Sequence, residues 1–250
     1  MGRDDPGIDA HRQGPFPEVR FDAISEGWEL FKNRAGTWIL AGLIVLVAQG
    51  ALHAGVASVI HQKLPVGGGG FRAAVPPAGR FVSYLLSSVL SGFFLAGMFR
   101  MACLQVRGQE FHVSDLFGVF DVLEDLAVGL VLCAAALFVA AMLCVVPVFI
   151  VAGVLMFTLP LIVDGRMKGI DALRTSWNAL KGQWLTVTIF HFVLNILSGL
   201  GVCLCGIGLL FTMPLYCLAI AVLYRDFFLQ KDASHQAKPF ALDPDFDAPR

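Results

Sequence analysis

Long apolar runs alternate with short segments of mixed polarity along this chain. The runs cover residues 36–60, 81–105, 126–163, 183–202 and 207–228. A membrane-spanning helix needs about 20 apolar residues, because the hydrocarbon core of a bilayer is about 30 Å thick. Four of the five runs therefore predict one span each.

The run at residues 126–163 is too long for one span. As a single helix it would measure about 57 Å at 1.5 Å per residue, almost twice the thickness of the hydrocarbon core. It therefore predicts two spans, or one span and a re-entrant segment. Pro147 lies near its middle, where a proline would interrupt a helix. The whole pattern predicts six spans.

Three shorter segments carry apolar residues at successive spacings of 3, 4, 3 and 4. The three sets are Phe21, Ile24, Trp28, Phe31 and Ala35; Val113, Leu116, Phe120, Leu123 and Ala127; and Ile170, Leu173, Trp177, Leu180 and Trp184. This spacing places each set on one helical face. Each segment comes before a pair of predicted spans, so it predicts an amphipathic helix leading into a hairpin.

The segments also suggest an internal repeat. Trp28 aligns with Trp177 and Lys32 with Lys181, and the second and sixth spans end in the related sequences MFRMACLQ and LYRDFFLQ. We predict an all-α integral membrane bundle of six transmembrane helices, built as three hairpins that each follow a cytoplasmic interfacial helix. The alternative is a six-span protein with unrelated amphipathic linkers.

Composition agrees with a membrane protein. The chain is 57% hydrophobic and 15% charged, whereas soluble domains have about 25% charged residues. Residues 1–20 and 231–250 are polar and contain proline, so we predict disordered tails around a membrane domain at residues 21–230. The net charge of -1 does not favour nucleic acid as a partner. The predicted partner is the lipid bilayer, with other membrane proteins or a second copy of the chain as alternatives.

The distribution of Lys and Arg predicts the orientation, because cytoplasmic loops are enriched in both. With six spans and a cytoplasmic N-terminus, 15 of the 18 basic residues lie inside and 3 outside. A single crossing at residues 126–163 would instead leave 7 inside and 11 outside. The charges therefore favour two spans in that run and both termini in the cytoplasm.

The last third of the chain contains the motifs DALRTSW, KGQW and GIGLLFTMPLYCLAIAVLYRDFF. These resemble a group of bacterial polytopic membrane proteins of unknown function, which are similar to the membrane domain attached to some glycerophosphodiester phosphodiesterases. The resemblance extends loosely over residues 21–230 and implies six spans in the bacterial inner membrane. It implies no catalytic residue, because the phosphodiesterase barrel has no counterpart in the sequence.

Several predicted spans carry polar residues, which face a bundle interior because lipid cannot satisfy them. The candidate lining residues are Gln49 and His53 in the first span, Ser83, Ser87 and Ser91 in the second, and Thr188, His191, Asn195 and Ser198 in the fifth. They could line a solute pathway or join helices by hydrogen bonds. The predicted interfacial anchors are Trp28, Trp177, Trp184, Arg100 and Arg225.

The sequence contains no catalytic triad, carboxylate pair, glycine-rich phosphate loop or HExxH motif. We therefore expect no catalytic residue, no metal site and no cofactor. The leading interpretation is a non-enzymatic inner-membrane protein with a role in membrane homeostasis or as an accessory or assembly factor of a membrane complex. The alternative is a small-solute transporter or channel lined by the fifth span. The absence of Asp and Glu from the middle of every span argues against ion-coupled transport.

Overall fold

The computed structural model describes residues 17–63, 77–143, 145–203 and 208–229. For residues 53, 56–63, 77–86, 145, 202 and 203 it describes the backbone alone. Residues 1–16 and 230–250 lie outside the described part, and with them most of both predicted tails. Residues 17–20, at the end of the predicted N-terminal tail, contact the helical domain: the Val19 amide donates to Gln183 Oε1 at 2.9 Å.

Every regular element in the described residues is helical. The α-helices are α1 (Asp22–Asn33), α2 (Ala35–Lys63), α3 (Pro77–Val106), α4 (Leu123–Leu143), α5 (Val145–Val154), α6 (Thr158–Val163), α7 (Gly169–Leu180), α8 (Trp184–Cys203) and α9 (Leu209–Tyr224). A 3-10 helix, η1 (Val113–Val122), leads into α4, and a π-helical turn (Arg225–Leu229) extends α9. A 3-10 turn (Lys181–Gln183) joins α7 to α8.

Within the described residues, six stretches are long and apolar enough to cross a membrane, which confirms the predicted all-α membrane fold. Two of them, Val113–Leu143 and Val146–Val163, cover the long run that the sequence divides into two. The division falls between α4 and α5, just before Pro147, where the sequence predicts an interruption of the helix. This proline lies in the first turn of α5, where a helix tolerates proline because its N–H would lack a partner.

The two spans of each predicted hairpin differ in burial. In the first, third and fifth candidate spans 22%, 28% and 28% of the apolar window is buried, against 44%, 56% and 56% in the second, fourth and sixth. The return spans α3, α5–α6 and α9 therefore form an inner layer, and α2, α4 and α8 an outer one. The outer layer exposes large apolar side chains such as Leu40, Val131 and Ile196, which suits contact with lipid.

The fourth span is broken at residues 155–157, between α5 and α6. Such a break frees backbone groups that need partners away from water. Ser176 of α7 supplies them: its hydroxyl donates to the Val154 carbonyl at 2.7 Å and accepts from the Phe157 amide at 3.3 Å. Ser176 is fully buried, so α7 is held against the break by polar contacts.

Each of the segments α1, η1 and α7, which come before an outer span, packs on a return span. η1 packs on α3 and α7 on α6, the return spans that precede them, while α1 packs on the last return span, α9. Glycine permits close approach in two of these contacts. A Cβ on Gly27 would lie 3.0 Å from the Ala219 backbone nitrogen, and one on Gly97 would collide with the Leu116 carbonyl. The α1–α9 contact thus joins the two ends of the membrane domain.

The second predicted interfacial helix differs from the expected geometry. The spacing of Val113, Leu116 and Phe120 predicts an α-helix, whereas Val113–Val122 forms a 3-10 helix. Its start is closed by Asp115, whose carboxylate accepts from the His112 amide at 2.7 Å. A 3-10 helix rises about 2.0 Å per residue against 1.5 Å for an α-helix. The segment therefore reaches further along α3 than an α-helix of equal length would.

Candidate functional site

A cavity of about 410 Å³ lies between α2, α3, α4, α5, α6, α8 and α9. Most of its wall is apolar, with leucine, methionine and phenylalanine side chains from α3, α4, α6, α9 and the break between α5 and α6. Its polar side chains are Gln49, Ser88, Ser91, His191 and Tyr216. These residues come from the middle turns of their spans, so the cavity lies at membrane depth.

The structure brings three of the predicted lining residues together. Gln49 of α2, Ser91 of α3 and His191 of α8 all line the cavity. Ser88 and Tyr216, which the sequence analysis did not select, line it as well. Ser88 stands three residues before Ser91, at helical spacing, and this signal could have identified it.

The other predicted lining residues lie elsewhere. Thr188 faces an outer groove with Phe149 and Phe192, and its hydroxyl donates to the Trp184 carbonyl at 2.6 Å. Asn195 is exposed and donates to the His191 carbonyl at 2.8 Å. Both polar groups are therefore satisfied on their own helix, away from the cavity.

Two of the predicted serines do not line the main cavity, although the recess of Ser198 shares Leu95, Met213 and Tyr216 with it. Ser198 lines a smaller recess of about 180 Å³ beside Tyr216. Ser87 is half-buried and outside the set that lines the main cavity. The side chains of His53 and Ser83 lie outside the described residues.

The four polar residues of the fifth span have different surroundings because they point in two directions, and one neighbouring helix cannot cover both. Residues seven apart on an α-helix point about 20° apart, so His191 and Ser198 share one direction and Thr188 and Asn195 another. α9 covers only the first direction. Spacing along the sequence placed four residues on one broad face, and the neighbouring helix selects half of them.

His191 is the least solvated polar group at the cavity. It is 6% exposed, and its ring meets that of Tyr216 edge to face with centroids 5.9 Å apart. Its Nδ1 atom has no hydrogen-bond partner among the described residues. Most buried polar atoms in proteins have a partner, so this atom needs an explanation. Within the same part of the chain, no cluster of His, Cys, Asp and Glu could hold a metal ion.

A group of four charged residues joins α1 to α9, and we call it the α1–α9 junction. Arg225 Nη1 lies 2.6 Å from Glu26 and its Nη2 lies 3.0 Å from Asp226. Arg20 reaches the same two carboxylates, each at 2.7 Å. The hydrogen bond from Arg225 is the main reason that the pKa of Glu26 is lowered, so this carboxylate is ionised at neutral pH.

Arg100 joins α3 to η1, which we call the η1–α3 junction. Its Nη1 donates to the Gly118 carbonyl at 2.7 Å, and its Nη2 lies 3.7 Å from Asp121. Asp121 also lies 3.8 Å from Arg166, which follows α6. Both predicted arginine anchors, Arg100 and Arg225, thus make hydrogen bonds within the protein near the ends of their spans.

The ends of the three return spans meet at Asp164, which the sequence analysis did not select. Arg107, just after α3, lies 2.6 Å from the Asp164 carboxylate, and the hydroxyl of Tyr224, the last residue of α9, donates to it at 2.9 Å. Gly108, with a φ of 71°, ends α3 in the left-handed conformation that glycine favours. Asp164 is the first acidic residue after the long apolar run, which is the only sequence signal for it.

The tryptophans divide into exposed and buried positions. The three predicted anchors, Trp28, Trp177 and Trp184, are 40%, 47% and 49% exposed. Trp38 is fully buried instead, and its indole donates to Gln105 at 2.8 Å. Exposed indoles at this end of the bundle suit the headgroup region of a bilayer, and Trp38 ties α2 to α3.

No family model, curated protein or solved structure matches this chain.

Proposed function

We propose that this chain is a non-enzymatic, multi-pass protein of the bacterial inner membrane. Its role would lie in membrane homeostasis or in the assembly of a membrane complex. One observation carries the proposal: among the side chains that the structure describes, none that lines the cavity is charged, while the ion pairs join helix ends. The expected resemblance to the membrane domain of glycerophosphodiester phosphodiesterases is consistent with this role and stays a prediction.

The use of the acidic residues supports a non-enzymatic role. Glu26 and Asp164 accept hydrogen bonds from arginine, and Asp115 closes the start of η1. A general acid or base must reach a substrate, and none of these carboxylates lines the cavity. Their arrangement favours a structural use of charge at one end of the bundle.

Several basic residues share carboxylate partners, which supports their location on the same side of the membrane. Arg20 and Arg225 share two carboxylates, and Arg100 and Arg166 both approach Asp121. These groups therefore share one end of the bundle, and the excess of basic residues in the segments assigned inside favours the cytoplasm for that end. We propose that both termini are cytoplasmic.

Reporter fusions test the orientation. A reporter active only in the cytoplasm, fused after Lys181 and separately after Gln230, should be active in both fusions. A fusion within residues 64–76, between α2 and α3, should be inactive and serves as the control. Activity in the control alone would reverse the proposed orientation.

Co-purification in mild detergent tests the accessory role. The full chain, expressed near its native level, should retain a membrane protein at a fixed stoichiometric ratio. Cells that lack the chain provide the background. A purified chain that carries no protein partner, and whose deletion leaves membrane composition unchanged, would argue against both parts of the proposed role.

A transporter or channel is the second candidate function. The meeting of Gln49, Ser91 and His191 at one cavity favours it. Proteoliposomes containing the chain would then swell faster in glycerol than empty liposomes, and His191→Phe would slow the swelling. For an accessory protein we expect the swelling rate of empty liposomes.

A further inference from the structure

The cavity has the size of a single short lipid chain. Its volume of about 410 Å³ corresponds to about a dozen groups the size of a water molecule or a methylene, at about 30 Å³ each. Side chains such as Leu95, Leu137 and Leu159 form most of its wall. An apolar cavity at membrane depth, among spans that face hydrocarbon, is accessible to lipid and favours an apolar chain.

His191 supplies a hydrogen-bonding group inside this apolar wall. Its ring is more than nine-tenths buried and lines the cavity. The Nδ1 atom lacks a partner among the described residues and is itself enclosed, so a ligand would meet the imidazole at the part of the ring that lines the cavity. Ser88, Ser91 and Gln49 add hydroxyl and amide groups to the same lining.

The charge of the lining limits the chemistry of the occupant. A phosphate or carboxylate at membrane depth needs a cationic partner, and the described part of the lining contains neither Lys nor Arg. The described arginines nearest to the return spans bind carboxylates or a backbone carbonyl at one end of the bundle. An anionic headgroup would therefore lie unpaired in this cavity.

We propose that the cavity binds an uncharged, single-chain lipid of the long-chain alcohol class, and that His191 hydrogen-bonds to its polar end. The apolar wall would hold the chain. This binding site goes beyond the accessory role proposed above, and its test does not depend on the presence of a protein partner.

The test uses the full chain in phosphatidylcholine nanodiscs, with a dodecan-1-ol that carries a diazirine in its chain. After illumination, mass spectrometry should find label on cavity residues of α3, α4 and α9, such as Leu95, Leu130 and Met213. Unlabelled dodecan-1-ol should compete. Dodecane and dodecyl phosphate should compete about fivefold less well or worse, since each lacks a favourable uncharged hydrogen-bonding end.

Two substitutions on α8 test the role of His191. His191→Phe keeps a ring but removes the hydrogen-bonding atoms, and it should weaken competition by dodecan-1-ol about fivefold while leaving dodecane unchanged. Thr188→Val, one turn earlier and outside this cavity, is the matched control and should leave both unchanged. His191→Asn should restore part of the preference for the alcohol.

Three results would overturn the proposal. They are equal labelling of lipid-facing residues such as Leu132 and Ile196, competition by dodecyl phosphate as effective as that by dodecan-1-ol, and an unchanged alcohol preference in folded His191→Phe. Size-exclusion chromatography shows whether that variant folds. If it does not fold, the competition series on the unmodified chain still decides the case.

Discussion

The η1–α3 and α1–α9 junctions place an arginine at matching points and use it differently. Arg100 and Arg225 occupy the same position in the related span ends MFRMACLQ and LYRDFFLQ. Arg225 binds the carboxylate of Glu26 at 2.6 Å, whereas Arg100 binds the backbone carbonyl of Gly118 at 2.7 Å. In the repeat alignment that pairs Phe21 with Val113, Glu26 and Gly118 also match. Equivalent positions of the repeat thus form an ion pair at the α1–α9 junction and a hydrogen bond to a backbone carbonyl at the η1–α3 junction.

The difference follows from the residue opposite each arginine. A Cβ on Gly118 would lie 2.7 Å from Arg100 Nε, so only glycine leaves room for this approach to the backbone. Glu26 instead extends a carboxylate that also pairs with Arg20. Charge-assisted hydrogen bonds to carboxylates are stronger than those to neutral acceptors, so we expect the α1–α9 junction to be the firmer of the two.

The largest expected effect is the loss of Arg225. Arg225→Met should lower the free energy of unfolding by about 2 kcal/mol, because the carboxylates of Glu26 and Asp226 each lose a charged donor. Arg100→Met, the matched variant, should cost about 1 kcal/mol, since it removes one donor from a carbonyl. Unfolding by SDS in mixed micelles measures both. Equal losses would show that the two junctions do not differ in strength.

A methyl group at Gly118 should weaken the η1–α3 junction alone. Gly118→Ala displaces the Arg100 guanidinium from the carbonyl and should cost about 1 kcal/mol. Gly182→Ala is the matched control, because a Cβ there has no neighbour within 4 Å. In the Arg100→Met background the cost of Gly118→Ala should shrink. If Gly118→Ala costs as much in that background as in the unmodified chain, its effect does not depend on Arg100.

Acid should weaken the α1–α9 junction selectively. The pKa of Glu26 is lowered in the folded protein, from about 4.3 for an unfolded glutamate. The stabilisation is therefore complete above the unfolded pKa and is lost as the pH falls through the folded pKa. The difference in unfolding midpoint between the unmodified chain and Glu26→Gln should be largest near pH 7 and vanish at the acid end of the range.

A matching acid series on Arg100→Met, made in the Asp121→Asn background because Asp121 also lies 3.7 Å from Arg100, provides the contrast. A backbone carbonyl does not titrate, so the contribution of the Arg100–Gly118 hydrogen bond should not change between pH 7 and the acid range. A loss of the Arg100 contribution that follows the titration of Glu26 would mean that the two junctions are coupled through the bundle.

The smallest expected effect is that of Asp121. Its side chain is 60% exposed and lies 3.7 Å from Arg100 and 3.8 Å from Arg166. Exposed ion pairs contribute about 0–1 kcal/mol and are screened by salt. Asp121→Asn should therefore change the SDS unfolding midpoint only slightly, and less still at high salt. A loss of stability as large as that caused by Arg225→Met would mean that the Asp121 carboxylate provides most of the strength of the η1–α3 junction.

The sequence was sufficient for the number and order of the spans. The thickness of a bilayer sets the length of a helix that crosses it, so the length of residues 126–163 required two spans or one span and a re-entrant segment, and the distribution of Lys and Arg favoured two spans. The repeated helical spacing also predicted the positions of α1 and α7 before their spans. These features depend on local composition and on the spacing of apolar residues, and both can be determined from the sequence alone.

Part of the cavity was also predictable. Polar residues in the middle of a span face protein more often than lipid, and this identified Gln49, Ser91 and His191. It failed to distinguish them from Thr188 and Asn195, which satisfy their hydrogen bonds on α8 itself. The period of one helix shows which residues share a direction, but it does not show which directions a neighbour covers.

Only the tertiary structure decided the polar contacts between distant segments. Ser176 serves the broken fourth span, and Asp164 joins the ends of α3 and α9. Arg100 and Arg225 look alike in the sequence, and their partners differ because one faces a glycine and the other a glutamate. Such contacts join residues up to 206 positions apart and depend on how close two backbones come, which side-chain volumes across the whole bundle determine.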